Sequence, residues 1–200
     1  MLFPRKGFTY IMMNKPLGTV CSTVSDRSTT VFQLLGPDVP QGLSAVGRLD
    51  KDTSGLLLFS DDGMFVHTLT IPESRISKTY HVWLKEPVSP AQHYEYIRKC
   101  SLGLYLPPCE KAPSFNTSPA HLEWLGVMIP ELGCGSSSSE CLLTISEGKF
   151  HQVRRMFDVL GNSVAALERT AVGSLELDKK IAPGHYRRLT EAEISLIFTL

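Results

Sequence analysis

The fold is decided by Gly47-Arg48-Leu49-Asp50-Lys51-Asp52-Thr53-Ser54-Gly55-Leu56-Leu57-Leu58-Phe59. Charged residues fill a short polar turn, and an uninterrupted apolar run follows at once. A short apolar run of this kind indicates a buried strand. The turn must therefore lie at the start of a core strand, which holds the backbone of the turn on one side. A carboxylate beside an arginine at such a place has a reason to be there beyond solubility.

Turn signals and hydrophobic periodicity predict the elements on both sides of this stretch. Predicted strands cover residues 8–14, 19–24, 56–60, 78–84, 120–129, 140–146, 164–167 and 174–177. Predicted helices cover residues 30–35, 61–69, 89–102 and 149–160, and a capping box at Thr190 and Glu193 opens a terminal helix. Residues 105–118 are expected to form a long loop, and residues 133–139 a flexible hairpin tip.

Strands outnumber helices in this scheme, and several neighbouring strands resemble hairpins. We therefore expect an α+β fold with a mixed, mainly antiparallel central sheet and flanking helices. The length of 200 residues suits one domain, or two sub-lobes that share one sheet.

The predicted helix at residues 149–160 has two distinct faces. Apolar residues at helical spacing form a face that should pack on the core: Phe150, Val153, Phe157 and Leu160. Mainly basic residues form a second face that should point away from the packing: His151, Arg154, Arg155 and Asp158. Such a face is either a solvated surface or one that meets an anion or RNA.

Composition excludes several classes of protein. Hydrophobic residues make up 42% of the chain and charged residues 20%, which is typical of a globular protein. No apolar run approaches the ~18 residues of a membrane span or the core of a secretory signal, so we expect a cytoplasmic protein. The net charge is +0, which argues against a uniformly basic surface but allows a local basic groove.

The chain also lacks the common cofactor, phosphate and metal motifs. It contains no dinucleotide-binding or phosphate-binding glycine loop, no nucleophile elbow and no zinc-protease helix. Its 5 cysteines have irregular spacing, which argues against a disulfide framework and fits no common zinc pattern. Any chemistry must therefore come from side chains alone.

Asp50 is the best candidate for that chemistry. An aspartate acts as nucleophile or base if it stays ionised in a partly buried site, and a nearby cation keeps it so. Arg48, Arg154 and Arg155 are candidates for the cation, as is a lysine in the turn. The alternative is a turn aspartate that caps local amides, and Asp52 is the competing carboxylate.

Tyr80 is the second candidate. It lies in a predicted strand two residues after Lys78, so both side chains project from one face. Tyr80 is either a half-buried core residue or an aromatic that stacks on a base. His151 alone favours a hydrogen-bonded histidine over a catalytic one.

Four motifs in this order resemble a known family. They are Tyr10-Ile11-Met12-Met13-Asn14-Lys15-Pro16-Leu17-Gly18, Gly47-Arg48-Leu49-Asp50 through Leu56, Lys78-Thr79-Tyr80, and Glu147-Gly148-Lys149-Phe150-His151-Gln152-Val153-Arg154-Arg155-Met156. The chain is similar to rRNA pseudouridine synthases of the RsuA type, the RsuA/RluB/RluE/RluF family, over residues 9 to 198. The resemblance implies an isomerase that converts a uridine in ribosomal RNA to pseudouridine without cofactor or metal.

The resemblance also implies roles for individual residues. Asp50 stands at the catalytic aspartate, Tyr80 at the active-site tyrosine, and Arg154 at the basic residue that pairs with the aspartate. Contacts with RNA are expected from seven polar or basic residues: Lys15, Arg48, Lys78, Lys149, His151, Gln152 and Arg155. The partner is ribosomal RNA or a pre-ribosomal particle, and the protein is expected to be a monomer.

Many members of that family carry an N-terminal RNA-binding domain of the S4 type, and here the catalytic segment starts by residue 9. We therefore expect that domain to be absent. Two other functions compete with the isomerase. One is a catalytically inactive rRNA-binding or ribosome-assembly protein, and the other is a hydrolase that uses Asp50, Asp52 and His151.

Overall fold

The computed structural model describes residues 3–25, 27–126 and 137–199. The chain divides into two compact units. The first consists of Met1–Ile76 and Glu168–Leu200, and the second of Ser77–Leu167.

The first unit is built mainly from strands, with three short helices. Its strands are β1 (Tyr10–Lys15), β2 (Ser44–Val46), β3 (Ser54–Ser60), most of β9 (Val164–Val172), β10 (Leu175–Glu176) and β11 (Tyr186–Arg188). Its helices are α1 (Val31–Leu35), α2 (Gly63–Thr70) and α5 (Glu191–Leu196), with a 3-10 turn at Pro72–Ser74.

The sheet of the first unit has the strand order β11-β1-β3-β9, with β2 paired to β3 and β10 paired to β9. All these pairs are antiparallel except β3 with β9, which is parallel and joins Ser54 to Glu168 and Gly55 to Arg169. The sheet is therefore mixed and mainly antiparallel, as predicted. Strand β3 is buried from Gly55 onward, which confirms the core strand after the charged turn.

Gly55 explains how β3 and β9 come so close at the end of the charged turn. Its φ is +99°, and a Cβ atom there would lie 2.8 Å from the Arg169 backbone nitrogen and overlap the Arg169 carbonyl oxygen. Only glycine has no side chain to meet this backbone. The residue just after the turn is thus determined by the approach of a strand that is distant in sequence.

In its described part, the second unit contains the remaining strands and two helices. They are β4 (Lys78–Val88), α3 (Pro90–Leu102), β5 (Tyr105–Leu106), β6 (Phe115–Asn116), β7 (His121–Trp124), β8 (Ser138–Ile145), α4 (Gln152–Val159) and the first residues of β9. Strands β4, β8 and β7 pair in this order, and both pairs are antiparallel. Strand β9 lies beside β4, and helix α3 packs against β7. Tyr80, Val82 and Leu84 are buried on one face of β4, as the alternation predicted.

Two helices begin where the local sequence predicted. Helix α3 begins at Pro90 after the N-cap Ser89 and ends before Gly103. Helix α5 begins after Thr190, whose hydroxyl accepts a hydrogen bond from the Glu193 amide while the Glu193 carboxylate accepts one from the Thr190 amide. Where caps are local, the sequence therefore predicts the boundary well.

Other predictions were wrong. Residues 19–24 form no strand, and only one isolated bridge, between Val20 and Thr30, is found there. Strand β9 continues well past residue 167, and β11 was not predicted. Residues 105–118 contain the short pair β5 and β6. The predicted hairpin tip at 133–139 and the end of the predicted strand at 120–129 lie largely outside the described residues.

The helix predicted at residues 149–160 begins later than expected. His151 has φ +48°, in the left-handed region, and the helix starts only at Gln152. Phe150 therefore lies in the turn before the helix, where 39% of it is exposed, and it is not part of the core face. Val153 and Phe157 are buried as predicted.

Among the residues that the structure describes, no helix has the length and apolar character required to cross a bilayer.

Candidate active site

Asp50 lies in a turn that the backbone holds at two points. The Thr53 amide donates a hydrogen bond to the Asp50 carbonyl oxygen at 3.1 Å, which closes the turn on itself. The Gly18 amide donates to the Lys51 carbonyl oxygen at 2.8 Å, which ties the turn to the loop after β1. Asp50 is half-buried and Arg48 is exposed. The carboxylate thus sits on a fixed support at the start of β3.

Lys15 stabilises this turn through hydrogen bonds to backbone carbonyl oxygens. It is fully buried, and its ammonium donates hydrogen bonds to the carbonyl oxygens of Thr53 at 2.7 Å and Pro16 at 3.2 Å. Burial lowers the pKa of Lys15, while the charges of Asp50 and Asp52 act in the opposite direction. Lys15 thus forms two hydrogen bonds inside the protein, and its predicted contact with RNA stays a prediction.

Arg169 is a polar residue near this turn that the sequence reading missed. Only 4% of it is exposed, and its Nε donates a hydrogen bond to the Leu56 carbonyl oxygen at 2.8 Å. Its positive charge contributes to lowering the pKa of Lys15. An arginine inside a β-forming segment, Val164–Val172, was the signal that could have identified it.

In the second unit, Tyr80 and Lys78 project from one face of β4. Tyr80 is only 8% exposed, and Lys78 is half-buried at the start of the strand. Tyr80 faces Leu143 across the β4–β8 pair. The aromatic ring is thus held by the sheet, with its position determined by strand register.

The turn that precedes α4 is held by a buried side chain. Gln152 is buried, its Nε2 donates to the Glu147 Oε1 at 2.7 Å, and its Oε1 accepts a hydrogen bond from the Lys149 amide at 3.0 Å. Glu147 also accepts hydrogen bonds from the amide and hydroxyl of Ser118. Both ends of the Gln152 amide group are thus engaged by the protein, and its predicted contact with RNA stays a prediction.

Arg154 and Arg155 are adjacent but have different environments. Arg154 is half-buried and its Nη1 donates to the Val164 carbonyl oxygen at 3.3 Å. Arg155 is 9% exposed, and its Nη2 donates to the carbonyl oxygens of Pro107 at 2.6 Å and Pro113 at 3.2 Å. The prediction that both point away from the packing is therefore wrong for Arg155, because the segment between β5 and β6 supplies acceptors that cover it.

The structure thus sorts the predicted site residues. Asp50, Arg48 and Lys15 belong to the first unit, and Lys15 lies within electrostatic reach of Asp50. The others belong to the second unit: Lys78, Tyr80, Lys149, His151, Gln152, Arg154 and Arg155. Of the predicted RNA contacts, four remain exposed or half-buried: Arg48, Lys78, Lys149 and His151. Across the described ranges 3–25, 27–126 and 137–199, no cluster of three or more metal-ligating side chains is found.

Comparison with known proteins defines the class. The family model described as RNA pseudouridylate synthase matches residues 9–158. The chain belongs to this family, and it is an RNA pseudouridine synthase, an enzyme that isomerises uridine in RNA. The predicted α+β fold and the predicted family are confirmed.

Its curated relatives are more specific. The chain is 42% identical to the ribosomal small subunit pseudouridine synthase A of Vibrio cholerae, over 96% of this chain and 75% of that protein. It is 41% identical to the protein of the same name from Escherichia coli K12, over 98% of this chain and 77% of that protein. A crystal structure of a pseudouridylate synthase superposes with a TM-score of 0.81 at 38% identity, over 95% of this chain and 74% of that one.

Proposed function

We propose that this enzyme converts a uridine of small-subunit ribosomal RNA to pseudouridine. The observation that carries the proposal is identity of 41–42% to proteins named ribosomal small subunit pseudouridine synthase A, over nearly the whole chain. We propose that it works as a monomer in the cytoplasm, on ribosomal RNA or a pre-ribosomal particle.

Asp50 is the catalytic carboxylate in this proposal. The N1–C1′ glycosidic bond of the uridine breaks, uracil turns, and a C5–C1′ bond forms, while C5 loses a proton and N1 gains one. Asp50 starts the reaction either by attacking the sugar or by removing a sugar proton. The fixed turn supports this role, because a carboxylate that acts on a sugar must be positioned before the substrate arrives.

Tyr80 and Arg154 complete the proposed catalytic set. Tyr80 stacks on the uracil ring and helps to remove the proton from C5. Arg154 pairs with Asp50 and keeps it ionised through a charge-assisted hydrogen bond. The position of Tyr80, which the register of β4 with β8 determines, supports its proposed role.

The exposed basic residues provide the proposed RNA contacts. Arg48 and Lys149 are exposed, and Lys78 and His151 are half-buried, so these side chains have surface to offer to phosphates. A target base must leave its stack to reach Asp50, at a cost of a few kcal/mol that phosphate contacts help to offset. Lys15 and Gln152 hold the turns that carry Asp50 and Lys149, while Arg155 holds the segment between β5 and β6.

The proposal is tested on unmodified RNA transcripts. Purified protein is incubated with small-subunit and large-subunit rRNA transcripts, with and without EDTA, and pseudouridine is mapped by carbodiimide modification and primer extension. We expect a single new pseudouridine in the small-subunit transcript, formed equally well with the chelator. Modification of only the large-subunit transcript would overturn the choice of substrate, and loss of turnover in EDTA would overturn the metal-free mechanism.

A further inference from the structure

Two stacked aromatic rings, one exposed and one half-buried, lie next to one another in the turn before α4. The rings of Phe150 and His151 stack with centroids 4.0 Å apart and an angle of 10° between their planes. Phe150 is 39% exposed and His151 is half-buried. Lys149, which precedes them, is exposed. Phe150 thus presents part of a large apolar ring at the surface, beside the cationic side chain of Lys149.

The turn that carries these rings is rigid. The Gln152 amide donates a hydrogen bond to the Lys149 carbonyl oxygen at 3.1 Å, and the Gln152 side chain receives one from the Lys149 amide at 3.0 Å. Phe150 and His151 are the two residues enclosed by this turn. Because Gln152 is itself buried and bonded to Glu147, the turn is anchored from beneath. The two rings are thus presented to solvent in one fixed arrangement.

The backbone of this turn is strained at His151. His151 has φ +48° and ψ +31°, a left-handed conformation that is unfavourable for residues other than glycine, although histidine is among those that tolerate it best. Retained strain often marks a functional site. A glycine at this position would remove the strain but also the second ring.

We propose that the Phe150–His151 pair is a stacking platform for one unpaired base of the substrate RNA. The inference rests on the proposed RNA substrate and adds to it a base contact beyond the roles proposed for Asp50 and Tyr80. Every base has a π-face, so the platform accepts a nucleotide without reading its identity. Lys149 neutralises a phosphate of the same strand, which places the charge and the ring as single-stranded RNA requires.

The platform is tested with two short oligoribonucleotides of equal length and charge, an oligouridylate and an abasic oligomer. Affinities are measured at the same salt concentration by fluorescence anisotropy, so no turnover is needed. The ratio of the two dissociation constants reports the contribution of the bases alone. Stacking on one aromatic side chain contributes roughly a 5- to 150-fold preference.

We expect Phe150→Ala to reduce that ratio by about this factor and Phe150→Trp to restore it. Lys149→Gln should weaken both oligomers equally and leave the ratio unchanged, because phosphates are present in both. Tyr94→Ala is the matched control, since Tyr94 is a 73% exposed aromatic on α3. Because all three positions are exposed, the variants should unfold at the wild-type midpoint.

An unchanged ratio in Phe150→Ala would overturn the platform, as would an equal loss in Tyr94→Ala. A wild-type protein that binds both oligomers equally would overturn it too. These outcomes are independent of whether transcripts become modified. Failure of the platform can therefore be told apart from failure of the proposed rRNA activity.

Discussion

Gly55→Ala should destabilise the first unit more than the same substitution does at a glycine that has open space around it. Gly55 ends the Asp50 turn and pairs with Arg169 across the parallel β3–β9 contact. A Cβ at this position would lie 2.8 Å from both the Arg169 nitrogen and the Glu168 Cγ, and would overlap the Arg169 carbonyl oxygen. Since most of these atoms are backbone, no side-chain rotation relieves the contact, and β9 must move away from β3.

The cost has two sources. A φ of +99° is unfavourable for alanine, by about 1–2 kcal/mol. Moving β9 also disrupts the two register pairs at Ser54 and Gly55, and each lost backbone hydrogen bond costs about 0.5–1.5 kcal/mol. After allowance for the reduced entropy of the unfolded chain, we expect a loss of about 2–4 kcal/mol in the free energy of unfolding. For a chain of this size this corresponds to a fall in Tm of roughly 4–16 °C.

Gly42→Ala is the matched control. Gly42 has a similar φ of +88°, but nothing lies within 4 Å of the added methyl group. The control therefore includes only the cost of a positive φ for alanine. After allowance for the reduced entropy of the unfolded chain, its free energy of unfolding should fall by about 1 kcal/mol or less. Urea unfolding followed by tryptophan fluorescence and far-ultraviolet circular dichroism compares both variants with the wild type.

Activity on the transcript should follow the same order, because Gly55 is adjacent to the turn that carries Asp50 and Gly42 is not. If Gly55→Ala were no less stable than Gly42→Ala, the close approach of β9 would not be the reason for glycine at this position. The account of how the Asp50 turn is fixed would then fail.

Three further perturbations follow from buried polar groups. Burial lowers the pKa of His93 below its ordinary 6.5, so the unfolded chain binds more protons than the folded chain as the pH falls. The free energy of unfolding should therefore decrease when the pH falls below 6.5. His93→Phe should make the urea midpoint depend less on pH. Asp62 is fully buried and accepts a hydrogen bond from the Tyr10 hydroxyl, so Asp62→Asn should cost about 2–4 kcal/mol in urea unfolding. Burial, and to a smaller extent Asp62, raises the pKa of Tyr10 to about 12, so the same variant should lower this pKa in part in an absorbance titration. Lys15→Met removes the donor to the Thr53 carbonyl, and calorimetry should show a loss of about 1–3 kcal/mol together with a reduced kcat on the transcript.

Features encoded by neighbouring residues could be predicted from the sequence. The core strand after the charged turn, the start of α3 at Pro90 and the capping box of α5 all depend on residues within a few positions of one another. The proposed catalytic residues were identified through the four motifs, which also predicted the family. These predictions needed no knowledge of which strands meet.

Features that depend on distant contacts could not be predicted in this way. Arg155 is buried because carbonyl oxygens of Pro107 and Pro113 meet its guanidinium, and nothing in the local helical pattern indicates them. The same is true of Lys15, whose buried ammonium donates a hydrogen bond to the Thr53 carbonyl oxygen. In both cases a long side chain forms hydrogen bonds within the fold, which the charge pattern alone does not indicate.

Phe150 illustrates a different failure. The periodicity of residues 149–160 assumes that the helix begins at Lys149. A left-handed His151 interrupts that geometry and starts the helix at Gln152, so the residues before it no longer follow the helical phase. Histidine carries little sequence signal for this conformation, unlike glycine, and the exposed ring was therefore assigned to the core.

The central claim is that Asp50, and not Asp52, is the carboxylate that acts on the uridine. A single-turnover reaction of Asp50→Asn and Asp52→Asn with the same small-subunit rRNA transcript tests it most directly, with transcript affinity measured in parallel. We predict that Asp50→Asn binds the transcript as the wild type does and forms no pseudouridine, while Asp52→Asn remains active. Full conversion by Asp50→Asn would contradict the account.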